Sequence, residues 1–293
     1  MSGTAAVGCD RPCERVLRTP APTTLAHANP AIRTSVVPAA LFHKTPAAVG
    51  FLLLGLLRIE AARSDVPTPF DGVSFGAGLA LTTDYIYRGV SQSDSPGAVQ
   101  ADAHLGAAGG SFLGIWTSTR NKDLEPGANA LVDLYLGHHF ALDTAWSLTA
   151  SGRARYYVNA SDYEPSADYQ ELSLGLGYLD RWSLGVAWIP SAVRYWVYQR
   201  ISRAPAWVAD TSAQWLLWEH FYVTAGAGYY RSEGTGPGIE RATGYAYGNA
   251  GAAYERGRWR LDVGYFLTQD AAARSVPYPS ANHKVAATIA WHF

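Results

Sequence analysis

The sequence predicts an all-β fold, a transmembrane antiparallel β-barrel of about 12 strands with short periplasmic turns and long extracellular loops. Three observations lead there. From Val73 onward, segments of roughly ten residues alternate apolar side chains with small or polar ones, the period of a strand with two different faces. The connections between segments are in turn long and very short, as in a barrel whose two rims meet different surroundings. Hydrophobic residues make up 48% of the chain, yet no run in this region is long enough to cross a bilayer as a helix. The apolarity is divided among short segments, and with 10 Trp, 18 Tyr and 29 Gly it suits amphipathic strands edged by interfacial rings.

Residues 1–62 form a non-barrel prefix. Its first ~40 residues, rich in Ala, Pro, Thr and Arg, have no period and read as the product of a start codon set too early. Ala47–Leu57 is an apolar run of export-signal length, preceded by His43 and Lys44 and followed by Ala61 and Ala62, which puts cleavage near Ala62. Both cysteines, Cys9 and Cys13, lie in the prefix, so the body has no disulfide, thiol nucleophile or Cys-based metal site. Residues 63–72 are a linker and 73–293 the barrel.

In the first strand Val73, Phe75, Ala77, Leu79, Leu81 and Tyr85 point one way and Ser74, Gly76, Gly78, Thr82 and Asp84 the other, with the strand continuing to Tyr87. A polar linker, Arg88–Pro96, leads to a second strand in which Val99, Ala101, Ala103, Leu105 and Ala107 alternate with Gln100, Asp102, His104 and Gly106. Gly109-Gly110 then makes a tight turn. Further strands fall near Phe112–Ser118, Ala130–Phe140, Trp146–Val158, Tyr169–Leu179, Trp182–Ile189, Trp207–Leu217, Phe221–Tyr230, Gly244–Tyr254 and Trp259–Thr268. Short turns fall near Gly109, Asp143, Asp180, Glu219 and Gly257. The long connections are Arg88–Pro96, Thr119–Asn129, Asn159–Asp168, Pro190–Ala206, Arg231–Thr243 and Gln269–Asn282.

Lys284–Phe293 is the last strand, apolar at Val285, Ala287, Ile289, Trp291 and Phe293. A terminal two-faced strand leaves an open edge unless something pairs with it, and an even strand count lets it run antiparallel to the first and close the ring. Rings gather at strand ends. Phe112, Phe140, Trp146, Tyr178, Trp182, Trp218, Phe221, Tyr254, Trp259 and Trp291 lie by the short turns, and Tyr85, Tyr156, Tyr169, Trp188, Trp207, Tyr229, Tyr245 and Tyr265 by the loops, as two interfacial belts would require.

Thr83-Asp84-Tyr85, then Arg88-Gly89, then Ser91-Gln92-Ser93 resembles the opening motif of the TorF-type proteins, a proteobacterial outer-membrane group assigned as porins and also called Gcw_chp. Gly114 with Trp116 and Ser118, Asp133 with Tyr135 and Gly137, Tyr169 with Glu171, and the final Phe293 continue the likeness from about Val73 to Phe293, with a departure at Thr119. The resemblance implies a barrel in the Gram-negative outer membrane and names no solute. The last strand is also similar to the assembly signal of such barrels, which makes Val285, Ile289, Trp291 and Phe293 the contacts for the barrel-assembly machinery.

On these faces the lumen carries Asp84, Arg88, Asp102, His104, Asp133, Arg153, Arg155, Glu171, Asp210, Gln214, Arg260 and Asp262. The selectivity candidates are Asp84, Arg88, Asp102, Asp133, Arg153, Arg155, Glu171, Arg260 and Asp262. Either Arg153, Arg155 and Arg260 face Asp84, Asp133 and Glu171 in a transverse field that orients polar solutes, or the charges are structural ion pairs. Asp84 to Arg88 is placed to anchor a loop across the mouth. About twelve strands tilted near 40° enclose a backbone cylinder roughly 23 Å wide and leave ~10 Å or less inside, enough for small polar solutes. In Pro190–Ala206, Arg194, Tyr195, Trp196 and Arg200 could grip a solute or lipopolysaccharide, or the segment extends a hairpin above the membrane.

The formal net charge of -1 gives no case for nucleic acid. His104, His138, His139, His220 and His283 have no convincing Ser and carboxylate partners and no clustered ligands, so the expectation is no enzyme, no metal and no cofactor. The function expected is a channel for passive diffusion of small polar solutes. A non-conducting structural or adhesin-like barrel is the alternative, and an outer-membrane lipid-modifying enzyme a more distant one.

Overall fold

A computed structural model of the chain describes residues 72–94, 96–124, 127–160, 167–179, 181–195, 201–233, 243–272 and 282–293. The prefix with its export segment, and the linker up to residue 71, lie outside them. Fourteen strands follow in order: β1 (Val73–Thr82), β2 (Ile86–Tyr87), β3 (Val90–Ser91), β4 (Ala98–Ala107), β5 (Ser111–Thr119), β6 (Ala130–Ala141), β7 (Trp146–Val158), β8 (Tyr169–Tyr178), β9 (Trp182–Tyr195), β10 (Ile201–Trp218), β11 (Phe221–Ser232), β12 (Thr243–Arg256), β13 (Trp259–Thr268) and β14 (Lys284–His292).

Among the described residues, twelve of these strands close into one antiparallel barrel, with β4 to β14 paired in chain order and β1 sealed between β4 and β14. The seam is the one predicted. β1 and β14 pair from Gly78 opposite His292 to Thr82 opposite Thr288, and the Phe293 amide donates to the Ala77 carbonyl at 3.0 Å. Closure leaves no edge strand with a row of unpaired amides.

Alternation sets the faces. On β13 Trp259, Leu261, Val263, Tyr265 and Leu267 are exposed while Arg260, Asp262, Gly264, Phe266 and Thr268 are buried inward. On β8 Leu172 and Leu174 point out while Glu171 and Ser173 point in. A slip of one residue would turn every charge to the outer face, so the pattern pins the register. The outer surface is an aliphatic band edged by rings. At the short-turn rim Trp259 lies 6.0 Å from Trp291, Trp291 lies 4.1 Å from Phe293, and Phe221 lies 4.8 Å from Tyr254. Tyr156, Trp188, Trp207, Tyr229 and Tyr265 point outward at the other rim.

Four rings expected in the belts turn inward: Phe112 and Tyr245 on the lumen side of their strands, Tyr85 in a connection, and Tyr169, which faces Tyr87 and Arg155. Position at a strand end sets height but parity sets direction: Phe112, Tyr169 and Tyr245 fall on the inward parity, and Tyr85 lies past the end of β1, where the chain has bent inward. Two further corrections concern strand limits. β1 stops at Thr82 rather than reaching Tyr87, because the Thr82 hydroxyl donates to the Asp84 carbonyl at 2.9 Å as the chain bends inward. Pro190–Ala206 is mostly strand. β9 and β10 run past the expected ends to pair Tyr195 with Ile201, and the register shifts between Ala204 and Ala206, where Pro205 offers no amide to the ladder.

The short turn after β6 is built by Asp143, whose Oδ1 accepts the amides of Ala145 and Trp146, both at 2.7 Å. Those two donors hold its carboxyl below the usual carboxylate range.

Candidate functional site

The segment predicted as a polar linker is a hairpin folded into the barrel. β2 and β3 pair Ile86 with Ser91 and Tyr87 with Val90, and Arg88 and Gly89 between them have φ of 50° and 74°. Two positive φ values make a tight turn whose twist matches its strands. Only glycine suits the second position, since a Cβ on Gly89 would also lie 2.5 Å from the Tyr247 Cβ. The base is stapled by Asp84. Its Oδ1 accepts the hydroxyls of Ser91 at 2.5 Å and Ser93 at 2.8 Å, while Ser93 Oγ accepts the Tyr85 amide and the Gln92 amide donates to the Tyr85 carbonyl. Each polar member of the Thr83–Ser93 motif thus has a task in building this hairpin, apart from Thr83, whose hydroxyl accepts the Ala287 amide of β14.

The hairpin crosses the lumen near the long-connection rim. Ile86, Tyr87, Arg88 and Val90 are all buried. Lys284 of β14 holds the near end through Asp84 at 3.3 Å. At the tip, Arg88 Nη2 reaches Glu171 of β8 at 2.8 Å, with the two side chains 3% and 1% exposed. The Gly89 carbonyl accepts the Thr268 hydroxyl of β13 at 2.7 Å. Val90 joins a core with Ala187, Ile189, Ala206, Val208, Tyr230 and Tyr245 on β9 to β12.

Around the tip lies a charged cluster. Arg155 donates twice to Asp133, at 2.8 and 2.7 Å, and its guanidinium lies 4.2 Å from the centre of the Tyr87 ring. Arg153 bonds Glu171 and the Tyr87 hydroxyl, both at 2.7 Å, and reaches Asp133 at 3.4 Å. The remaining predicted lumen residues form separate groups. Arg260 pairs with Asp262 at 2.9 Å and Glu255 at 3.0 Å, and Asp102 accepts from the Tyr135 hydroxyl at 2.8 Å, with His104 3.3 Å away. The two signs therefore sit side by side on neighbouring strands and not on opposite walls, so no transverse field forms among these pairs. Asp84 and Arg88 anchor opposite ends of the hairpin and do not pair with each other.

Below the tip the two sides of the lumen differ. On β13, β4, β5 and β6 the inward Arg260, Asp262, His104, Trp116 and Tyr135 are buried against one another. On β9 to β12 the inward Ser183, Gly185, Asp210, Ser212, Gly226, Gly228, Asn249 and Gly251 are small or polar and half-buried, with Gln214, Thr224 and Ala253 buried among them. This strip runs from the short-turn end up to Asp210, which is level with Gly228 and Tyr247. Tyr247 touches the hairpin at Gly89.

Sequence reasoning missed Tyr87, Gln92, Lys284 and Tyr245 as members of the site. Gln92 binds Arg120 from the hairpin side. The available signal was Arg88-Gly89 between Ile86-Tyr87 and Val90-Ser91, an X-Gly pair flanked by apolar residues. Arg194 and Tyr195 fall in the backbone of β9, and Trp196 and Arg200 lie outside the described residues. Ser111 and His138 do meet on the outer face at the short-turn rim, Oγ to Nδ1 at 2.9 Å, and no carboxylate contact to His138 occurs among the described residues. The same residues hold no cluster of three or more potential metal ligands.

Residues 67–218 match the model of a family described as "Bacterial protein of unknown function (Gcw_chp)". The match takes in the hairpin motif and ends at Trp218, short of the Phe293 limit expected from the sequence. No curated protein sequence matches the chain. Among solved structures, the NanC porin is similar at 9% identity and a TM-score of 0.45, over 75% of this chain and 98% of that one. The KdgM porin in complex with disordered oligogalacturonate gives 7% and 0.44, over 75% and 98%. Salmonella typhi OmpF in complex with daunomycin gives 10% and 0.40, over 75% and 97%.

Proposed function

The chain belongs to the Gcw_chp family of bacterial proteins, and we propose that its barrel sits in the outer membrane and passes small polar solutes by diffusion, with the β2–β3 hairpin as its constriction. The observation that carries this is the strip on β9 to β12. Ser183, Ser212, Gly226, Asn249 and Gly251 are small or polar and only half-buried, whereas Arg260, Asp262, His104, Trp116 and Tyr135 on the other wall are buried. A lumen built only to hold strands together gains nothing from that asymmetry.

The outer face supports the membrane placement. Leu79, Leu81, Leu134, Leu136, Leu172, Leu174, Val186, Leu261, Val263 and Ile289 form an exposed apolar band between two sets of rings. In water such a band would drive association, and in a bilayer it is the required surface. The TorF-type designation, export by the prefix, recognition of Val285, Ile289, Trp291 and Phe293 by assembly machinery, and lipopolysaccharide contact at Arg194 and its neighbours belong to this same reading.

A second reading is a non-conducting structural barrel. The buried pairing of Arg88 with Glu171 favours it, because a seated hairpin closes the mouth. Planar-bilayer recording of the extracted protein and of a variant with Tyr87–Val90 excised decides between them. Small steps in the first and larger ones in the second are expected. Silence in both removes the channel.

A further inference from the structure

Between the hairpin and the wall formed by β7 to β12 lies a pocket of about 60 Å³, partly open to solvent. Tyr87, Arg88 and Val90 line it from the hairpin, and Ile189, Tyr230 and Tyr245 from the barrel. Three features together specify a ligand. The first is a cation with donor capacity to spare: the Arg88 side chain is 3% exposed, it borders the pocket, and its Nε has no hydrogen-bond partner. A buried donor left unsatisfied is costly and marks a place where a polar group fits.

The second is the local charge. Three guanidiniums, on Arg88, Arg153 and Arg155, contact two carboxylates, on Asp133 and Glu171. Asp210, at the level of the hairpin tip, makes no ion pair among the described residues, and its Oδ2 has no partner. Counted by ion-pair contacts alone, the cluster holds one more cation than carboxylate. The third is the remainder of the surface. Val90, Ile189 and Ala192 belong to the apolar core, and the Tyr230 and Tyr245 rings are stacked 5.4 Å apart. Most of the lining is carbon and ring faces, with Arg88, Arg155, Gln92 and the tyrosine hydroxyls as its polar groups, which favours a flat ring carrying one charged group.

We propose that this pocket binds a small aromatic carboxylate, its carboxylate on Arg88 and its ring against Val90, Ile189 and the tyrosines. This rests on the channel reading in that it names the class of solute the mouth selects. Arg88 then has two roles, since the group that greets the solute also holds the hairpin on Glu171. A bound carboxylate would share the guanidinium with Glu171 and loosen that hold.

The test is calorimetric titration of the full-length, detergent-extracted protein with benzoate, benzamide and acetate. Benzoate should bind, with benzamide and acetate weaker by roughly tenfold or more. Ala192→Leu, which fills the pocket and leaves the Arg88–Glu171 and Asp84–Lys284 ion pairs in place, should weaken benzoate by a similar factor while the heat-modifiable gel migration of the barrel is kept. Arg88→Met should do the same if the leucine variant fails to fold. Benzoate binding no tighter than acetate, no tighter than benzamide, or indifferent to both substitutions overturns the proposal. Conductance recorded on the same preparation separates it from its premise. A conducting barrel without benzoate binding keeps the channel and loses this site, and a silent barrel that binds benzoate keeps the site and loses the channel.

Discussion

Replacing Glu171 with Gln should release the hairpin far more than replacing Arg88 with Met, although both remove the same 2.8 Å contact. The two partners are not equally provided for. Without Arg88, Glu171 keeps Arg153 at 2.7 Å, so Arg88→Met removes about one charge-assisted bond, ~1.5–3 kcal/mol. Without the Glu171 carboxylate, Arg88 has no other ion-pair partner among the described residues, and Arg153 keeps only the 3.4 Å contact with Asp133. Stranding a buried charge costs about 3–5 kcal/mol, a shift of roughly two to three and a half powers of ten in the seated-to-released ratio. The double variant should return toward the Arg88→Met value, since the stranded Arg88 is gone and only Arg153 still lacks its carboxylate. Hydrogen exchange at the Gln92 amide, bonded to the Tyr85 carbonyl at 2.7 Å, reads the hairpin directly, and channel open probability reads its consequence. Equal exchange in the two single variants, or full Gln92 protection in Glu171→Gln, would refute the asymmetry.

Gly89→Ala should unseat the hairpin by about 2–4 kcal/mol, from a left-handed backbone and a Cβ forced against Tyr247; faster exchange at Gln92 with unchanged heat-modifiable migration is the expected result. Leu174→Arg, on the exposed outer face of β8, should cost about 2–4 kcal/mol in urea titrations in lipid vesicles if that face meets the bilayer midplane, and an unchanged midpoint would contradict the placement. The Asp143 carboxyl should titrate below the ordinary value of 3.8 in a labelled-protein NMR series. Because its folded value is lowered, its support of the turn is fully present above that ordinary value and is lost only as pH falls through the folded one, so the Trp146 amide shift should be flat at neutral pH.

The barrel was legible because its strands are long and repeat one rule. Leu261, Val263, Tyr265 and Leu267 against Arg260, Asp262, Phe266 and Thr268 identify both faces of β13 with no other information. The hairpin was not, because two residues per strand cannot show a period, and Ile86 and Val90 were read within a polar stretch. Val90 is buried with Ala187, Ile189 and Tyr245, and Ile86 with Phe266 and Ala286, all of them distant in the chain. The ion pairs show the same limit. Inward parity put Asp133, Arg153, Arg155 and Glu171 on one face, but whether they oppose or join one another depends on the order and stagger of β6, β7 and β8, which pair Asp133 with Arg155 and Arg153 with Glu171.

The salt bridge between Lys284 and Asp84 spans 200 positions of the chain and joins the first connection to the strand made last. Until β1 and β14 pair to close the ring, Asp84 lacks that cation and the Thr82 hydroxyl lacks the Thr288 hydroxyl that bonds it at 2.8 Å. Seating of the hairpin is thereby made conditional on completion of the ring. The two strands that close the wall therefore also hold the hairpin's near end, so loosening the β1–β14 seam would loosen the hairpin with it.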